Sequence, residues 1–148
     1  MKDLSWAKAY IETFASGSSG VLAHWADRDD IVHEDPVLGQ RSTKRSDVAA
    51  TFDIYANSDR TNGVGIHTFR ADEFFGDERC GVTHWTWVAE DCAEFLGMPT
   101  NGKTLTTTGV SVDIFDEQGL IVRELAYWDA VGIAEQLGLP LKKPAQSW

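Results

Sequence analysis

The spacing of apolar residues changes along this chain from a helical period to an alternating one. Near the start, apolar side chains recur every three or four positions, which predicts an amphipathic helix from about Leu4 to Ser16. The glycines and serines at 17–20 end that helix and offer a cap for a short second one. A third helix is predicted from a cap at Ser42 or Thr43 to about Ala56.

The second half of the chain is rich in valine, threonine and aromatic residues, which favour β-structure. Strands are predicted at residues 64–75, 79–89, 104–115 and 120–128. Turn-forming residues separate them, which indicates an antiparallel meander. A strand at 31–35 comes earlier, and a short helix at 130–137 follows. This order predicts a single α+β domain, residues 1–148, with helices on one face of a bent sheet.

The early strand carries the most distinctive chemistry of the chain. Side chains alternate across a strand, so His33 and Asp35 share a face while Glu34 points the other way. If that face is turned inward, an apolar pocket raises the pKa of the carboxyl and makes it a usable general base or acid. The alternative is an edge strand whose polar side faces water.

Charge and motifs exclude several classes of function. The chain has 13 Lys and Arg against 23 Asp and Glu, a formal charge of -10, which argues against a nucleic-acid or anionic-membrane partner. We find no membrane-length apolar run, signal peptide, zinc-ligand pattern or nucleotide-binding glycine motif. A soluble, cytoplasmic protein without metal or cofactor is therefore expected. Cys80 and Cys92 flank one strand, which holds their Cα atoms roughly 30 Å apart, so reduced thiols are predicted.

Parts of the chain resemble two families of enzymes. Residues 25–39, with the run Glu34-Asp35-Pro36-Val37, resemble the segment of bacterial ketosteroid isomerase that carries its aspartate base. That resemblance places Asp35 at the base position and Tyr10 close to a tyrosine of the oxyanion hole. The second acid of that oxyanion hole would fall nearer Ser111 than Asp113, which argues against steroid isomerisation.

Residues 97–103, 115–124 and 127–139 resemble SnoaL-like polyketide cyclases. Both families belong to the nuclear-transport-factor-2-like superfamily, so the resemblance implies its cone-shaped α+β barrel and, commonly, a homodimer through the outer sheet face. It also implies an acid/base role for Asp129. Strand parity puts Tyr127 on the same face as Asp129, so both would enter the pocket together; a helix-capping role is the alternative for Asp129.

The predicted site has two groups of residues. The catalytic candidates are Asp35, Asp129, His33 and Tyr10. The candidates for substrate binding are Phe14, Trp85, Trp87, Asp113 and Tyr127. Trp85 and His84 have opposite parity, and Trp85 is preferred for the cavity because apolar walls suit it.

These residues predict a cofactor-independent isomerase, cyclase or lyase. A carboxylate would remove a proton next to the carbonyl of a small hydrophobic substrate, and a donor such as Tyr10 would stabilise the enolate. Isomerisation, aldol cyclisation and dehydration remain open. The alternatives are water activation of the epoxide hydrolase type and a non-catalytic module that binds a hydrophobic ligand.

Overall fold

The structure, a computed structural model, describes residues 1–141. Within this range the α-helices are α1 Leu4–Glu12, α2 Ser18–Val21, α3 Arg45–Tyr55 and α4 Ala130–Gln136. The strands are β1 Val32–Asp35, β2 Gln40–Ser42, β3 Ile66–Gly76, β4 Cys80–Glu90, β5 Glu94–Phe95, β6 Met98–Pro99, β7 Leu105–Phe115 and β8 Ile121–Trp128. How the tail Lys142–Trp148 relates to the pocket lies outside the described residues.

The main sheet has the order β2-β1-β8-β7-β4-β3. The pairs β3–β4, β4–β7 and β7–β8 are antiparallel, as the meander predicts. Strand β1, the first in the sequence, instead lies parallel to β8, the last one. This parallel pairing places His33 next to Glu124.

The small hairpin of β5 and β6 is absent from the sequence prediction. Each of its strands has two residues, too few to show an alternating pattern. Its turn is made by Leu96 and Gly97, both with positive φ, which suits the right-handed twist of a tight hairpin.

Two predicted helix ends are wrong. Helix α1 ends at Glu12, and a separate 3-10 turn spans Thr13–Ser16. Helix α3 begins after Lys44, without a side-chain cap, because Ser42 belongs to β2 and pairs with His33. Ser42, predicted as a helix cap, is therefore part of the sheet.

Helices α1 and α3 contact the main sheet and pack around its concave face. The odd-numbered residues 81–89 of β4 are all buried, whereas the even-numbered ones between them are only partly buried. Cys80 and Cys92 are both free thiols, which confirms that they do not pair. In residues 1–141 no helix combines the length and the apolar character needed to cross a membrane.

Candidate functional site

A cavity of about 650 Å³ lies between the concave sheet face and helices α1 and α3. Its walls are mainly aromatic: Phe14, Phe69, Trp85, Trp87, Phe95 and Trp128. The predicted lining residues Phe14, Trp85 and Trp87 are therefore all in place. His84 points away from the cavity and lies 3.4 Å from Glu73, as the preference for Trp85 requires.

We call the open end of the cavity the mouth; it is formed by Leu38, Gln40, Arg41 and Ile54, all exposed. Asp35 lies beside it at the end of β1 and is partly buried. The indole Nε1 of Trp128 donates to both Asp35 oxygens, at 3.0 and 3.3 Å. The backbone N–H of Leu38 donates to Oδ1 at 3.0 Å. These bonds fix the carboxylate in place while it still borders the cavity.

Tyr55 closes helix α3 and also lines the cavity. Burial, followed by the charges of Asp35 and Glu124, raises the pKa of Tyr55 to about 12. Its phenol therefore stays protonated at neutral pH. A protonated hydroxyl in the same cavity as a carboxylate can donate a hydrogen bond to a bound ligand.

We call the closed end of the cavity the floor; it is formed by Tyr10, Thr83, Asp113 and Glu124, all buried. Three titratable residues form a row across adjacent strands: Glu124 of β8 pairs with His33 of β1 on one side and with Asp113 of β7 on the other. His33 Nε2 lies 3.4 Å from Glu124 Oε1. Glu124 is therefore the centre of the buried charge network.

The pKa values of the two floor carboxyls shift in opposite directions. Burial, together with the charge of Glu124, raises the pKa of Asp113 well above its ordinary value. Burial also acts to raise the pKa of Glu124, but interactions with His33, Asp113 and Tyr10 outweigh it and bring that pKa below its ordinary value. Of the two carboxyls, Asp113 therefore holds a proton more tightly and Glu124 ionises more readily.

Tyr10 reaches the floor from helix α1. Its hydroxyl donates to Glu124 Oε2 at 3.0 Å and accepts from Trp25 Nε1 at 2.9 Å. Burial, followed by the charge of Glu124, raises the pKa of Tyr10 well above its usual range. The proton expected to serve a ligand oxyanion is therefore directed at Glu124 instead.

Asp129 and Tyr127 lie outside the cavity, contrary to the prediction that they enter it together. The Asp129 carboxylate caps helix α4, accepting from the backbone N–H of Gly132 at 2.9 Å, and the residue is exposed. Tyr127 is 45% exposed. The inward residues at this end of β8 are Ala126 and Trp128. Of the three aspartates among the candidate residues, Asp35 and Asp113 line the cavity and Asp129 does not.

Among the cavity residues that the sequence interpretation missed, four have polar groups that contribute to the site: Thr83, Tyr55, Glu124 and Trp128. Alternation on β4 contained the signal for Thr83, which shares parity with Trp85. The parity that places Tyr127 outside also places Glu124 and Trp128 inside, so the signal existed and the wrong face was chosen. Nothing in the pattern around Tyr55 distinguishes it from an ordinary helical tyrosine.

Comparison with known proteins gives a consistent picture of the family. The sequence model described as SnoaL-like polyketide cyclase matches residues 8–137. No curated protein matches the chain significantly.

Solved structures with the same fold share little sequence with the chain. A candidate polyketide cyclase from Xanthomonas campestris is 19% identical, with a TM-score of 0.70 and coverage of 89% of this chain and 93% of that one. AclR from Streptomyces galilaeus, described as a candidate hydroxylase, is 19% identical, with a TM-score of 0.65 and coverage of 95% and 86%. A protein from Catenulispora acidiphila with a ketosteroid isomerase-like fold, in complex with trimethylamine, is 12% identical, with a TM-score of 0.65 and coverage of 90% and 92%. These likenesses support the cone-shaped α+β fold.

Proposed function

Because the chain belongs to the SnoaL-like polyketide cyclase family, we propose that it removes a proton next to the carbonyl group of a hydrophobic substrate, with Asp35 as the base. Membership of this family supports a cyclase or isomerase type of role that needs no cofactor. The observation that carries the proposal is that Asp35 and Tyr55 line the same aromatic cavity.

Asp35 has the position that a base requires. Its two hydrogen bonds from Trp128 and one from Leu38 hold the carboxylate without placing a cation against it. The aromatic walls exclude water around a bound ligand and strengthen electrostatic interactions there. The carboxylate takes the proton from the carbon next to the carbonyl. The electron pair of the broken C–H bond forms the C=C bond of the enolate, and the π pair of the carbonyl group moves onto its oxygen.

Tyr55 is the donor that this step needs. With a pKa of about 12, its hydroxyl keeps its proton and donates to the developing enolate oxygen. Tyr10 is less suited, because its proton is directed at the ionised Glu124. Return of the proton at another carbon completes an isomerisation, and attack of the enolate carbon on a second carbonyl completes an aldol cyclisation.

Exchange of carbon-bound hydrogen tests the proposal without knowledge of the natural substrate. The probe is 1-tetralone, a flat bicyclic ketone, and proton NMR in deuterated buffer follows loss of the signal next to its carbonyl. The protein is expected to accelerate this exchange, and Asp35→Asn to lower the acceleration by about 10²–10⁴-fold.

The matched control is Glu34→Gln, one residue away on the same strand. Glu34 points outward and contacts Arg41 and Arg123, each at 3.3 Å, so its loss leaves the cavity unchanged. Tight binding of 1-tetralone with no exchange above buffer would overturn the enzymatic proposal and favour a ligand-binding module. In such a module the buried Glu124 would have a structural role, because its oxygens already contact Tyr10 and His33.

We also propose that the protein forms a homodimer through the outer face of its sheet. The outward residues at the centre of that face are largely apolar: Val110, Val112, Leu125 and Tyr127. Burying them against a second copy would remove this surface from water. Light scattering should give twice the mass of one chain, and a monomer at high concentration would contradict the proposal.

A further inference from the structure

Two polar side chains on the cavity floor lack hydrogen-bond partners. Among the described residues, the Thr83 hydroxyl and both carboxyl oxygens of Asp113 form no hydrogen bond of ordinary geometry. Thr83 is 2% exposed and Asp113 is 0% exposed. Leaving such groups buried and unpaired costs about 1–3 kcal/mol each, which proteins seldom tolerate without a functional reason.

These two residues are neighbours on one face of the sheet. Thr83 of β4 pairs with Ser111 of β7, and Asp113 lies two residues beyond Ser111 on the same face. Such diagonal neighbours have Cβ atoms about 7–8 Å apart or slightly less, so one atom between their side chains can contact both. The Ser111 hydroxyl is already engaged, since it accepts from Trp85 Nε1 at 3.0 Å.

We propose that Thr83 and Asp113 form a subsite for one hydroxyl group, of an alcohol or a phenol, at the buried end of the ligand. Both residues line the cavity, and because their side chains are almost fully buried, a small shift of these side chains is needed to admit even a hydroxyl group, and a ring is excluded. The hydroxyl donates to an Asp113 oxygen and accepts from the Thr83 hydroxyl, so one group satisfies both residues.

The neighbouring charge excludes other groups. Glu124, ionised beside Asp113, repels a ligand carboxylate or phenolate. The unpaired Asp113 oxygens need a donor, so an ether or a ketone, which has no proton to donate, leaves them unpaired. A neutral hydroxyl is the group that both donates and accepts.

This inference rests on the proposed function and extends it to a class of substrate. A ligand with its carbonyl beside Asp35 and a hydroxyl between Thr83 and Asp113 would lie along the cavity from mouth to floor. The apolar part of the ligand would contact the aromatic walls between the two ends. The substrate class is therefore a flat hydrophobic ketone that carries a hydroxyl group at the far end.

Three ketones of one shape test the subsite: 6-hydroxy-1-tetralone, 6-methoxy-1-tetralone and 1-tetralone. Their affinities can be measured by quenching of tryptophan fluorescence in slightly acidic buffer, where the hydroxyl keeps its proton. We expect the hydroxy compound to bind about tenfold tighter than 1-tetralone, from two hydrogen bonds. The methoxy compound should bind no tighter than 1-tetralone.

Thr83→Val removes one partner while keeping the shape of the side chain, and should lower the hydroxyl preference to about threefold. Asp113→Leu should abolish it; if that variant fails to fold, Thr83→Val still decides. The matched control is Thr107→Val. Thr107 is also buried and lines the cavity, but its hydroxyl donates to the backbone oxygen of Asp129 at 2.9 Å, so the preference should stay at its wild-type value.

Equal binding of the hydroxy compound and 1-tetralone, or a preference that Thr83→Val leaves intact, would overturn the subsite and indicate that water fills the gap. The two proposals fail separately. A hydroxyl preference without hydrogen exchange would keep the subsite and contradict the enzymatic role, whereas exchange without a preference would do the reverse.

Discussion

The mouth and the floor of the cavity both contain carboxyl groups, but they use them differently. At the mouth, Asp35 is partly buried, receives three neutral hydrogen bonds and borders the space where a ligand binds. At the floor, Glu124 is buried and its oxygens contact Tyr10 and His33. A base must be free to accept a proton, so the mouth is suited to chemistry and the floor to fixed charge and ligand orientation.

Removal of the Glu124 charge should produce the largest change in stability. Glu124→Gln leaves the donors from Tyr10 and His33 without their anionic acceptor, so we expect a loss on the order of 3 kcal/mol in the free energy of unfolding. Urea titration at neutral pH measures it. Glu34→Gln, on the outer surface, should cost about 1 kcal/mol or less. Equal losses for the two variants would remove the distinction between a fully buried and a partly buried carboxylate.

Loss of the Tyr55 hydroxyl should affect catalysis and leave stability nearly unchanged. Tyr55→Phe keeps the ring and removes the donor, so hydrogen exchange of 1-tetralone should slow by about 10²–10³-fold. Tyr10→Phe is the matched comparison from the floor, and we expect it to lower stability more than the exchange rate. If Tyr10→Phe slows exchange more than Tyr55→Phe does, the donor is at the floor.

The proton on Asp113 should appear in the pH dependence of stability. Its folded pKa is raised above the ordinary 3.8, so above that pH the unfolded chain loses a proton that the folded protein keeps, and stability falls as pH rises. Asp113→Asn removes this effect. Its stability relative to wild type should therefore increase by about 1.4 kcal/mol per pH unit from roughly pH 4 until the folded Asp113 ionises.

The contribution of Glu124 to stability changes with pH in the opposite direction. Its folded pKa is lowered below 4.5, so its contribution is present above that pH and is lost as pH falls through the folded value. Urea titrations of wild type and Asp113→Asn across this range separate the two effects. A stability difference that does not vary with pH would mean that Asp113 is ionised in the folded protein.

Asp129 should show the smallest effect. As the cap of α4 it accepts from Gly132, and Asp129→Ala should lower the free energy of unfolding by about 1 kcal/mol. Hydrogen exchange of 1-tetralone should remain at the wild-type rate. Thermal unfolding and the exchange assay together measure both quantities.

Local patterns predicted much of the fold because strands and helices bury side chains at fixed periods. The alternation of β4 placed Trp85 and Trp87 inside and His84 outside, as the structure shows. The parallel contact of β1 with β8 was not predictable in this way, since it joins segments that are distant in sequence. Recognition of the family supplied the cone-shaped fold that periodicity alone leaves open.

The site was harder to predict at β8. An irregularity in the register of β7 and β8 separates the Phe115–Ile121 pair from the Ile114–Arg123 pair. Ile121 and Glu124 are therefore both buried, which simple alternation does not allow. The partner of Tyr10, Glu124, is 114 residues away in the sequence, so a helical pattern in residues 4–12 contains no information about it.

The most direct test of the account locates the base by comparing three aspartate variants in one assay. Asp35→Asn, Asp113→Asn and Asp129→Asn are each measured for deuterium exchange of 1-tetralone, with circular dichroism to establish folding. The account predicts that Asp35→Asn loses the acceleration while Asp129→Asn retains it and Asp113→Asn stays closer to wild type than Asp35→Asn. Loss of exchange in Asp129→Asn, with Asp35→Asn active, would contradict the assignment of proton transfer to the mouth of the cavity.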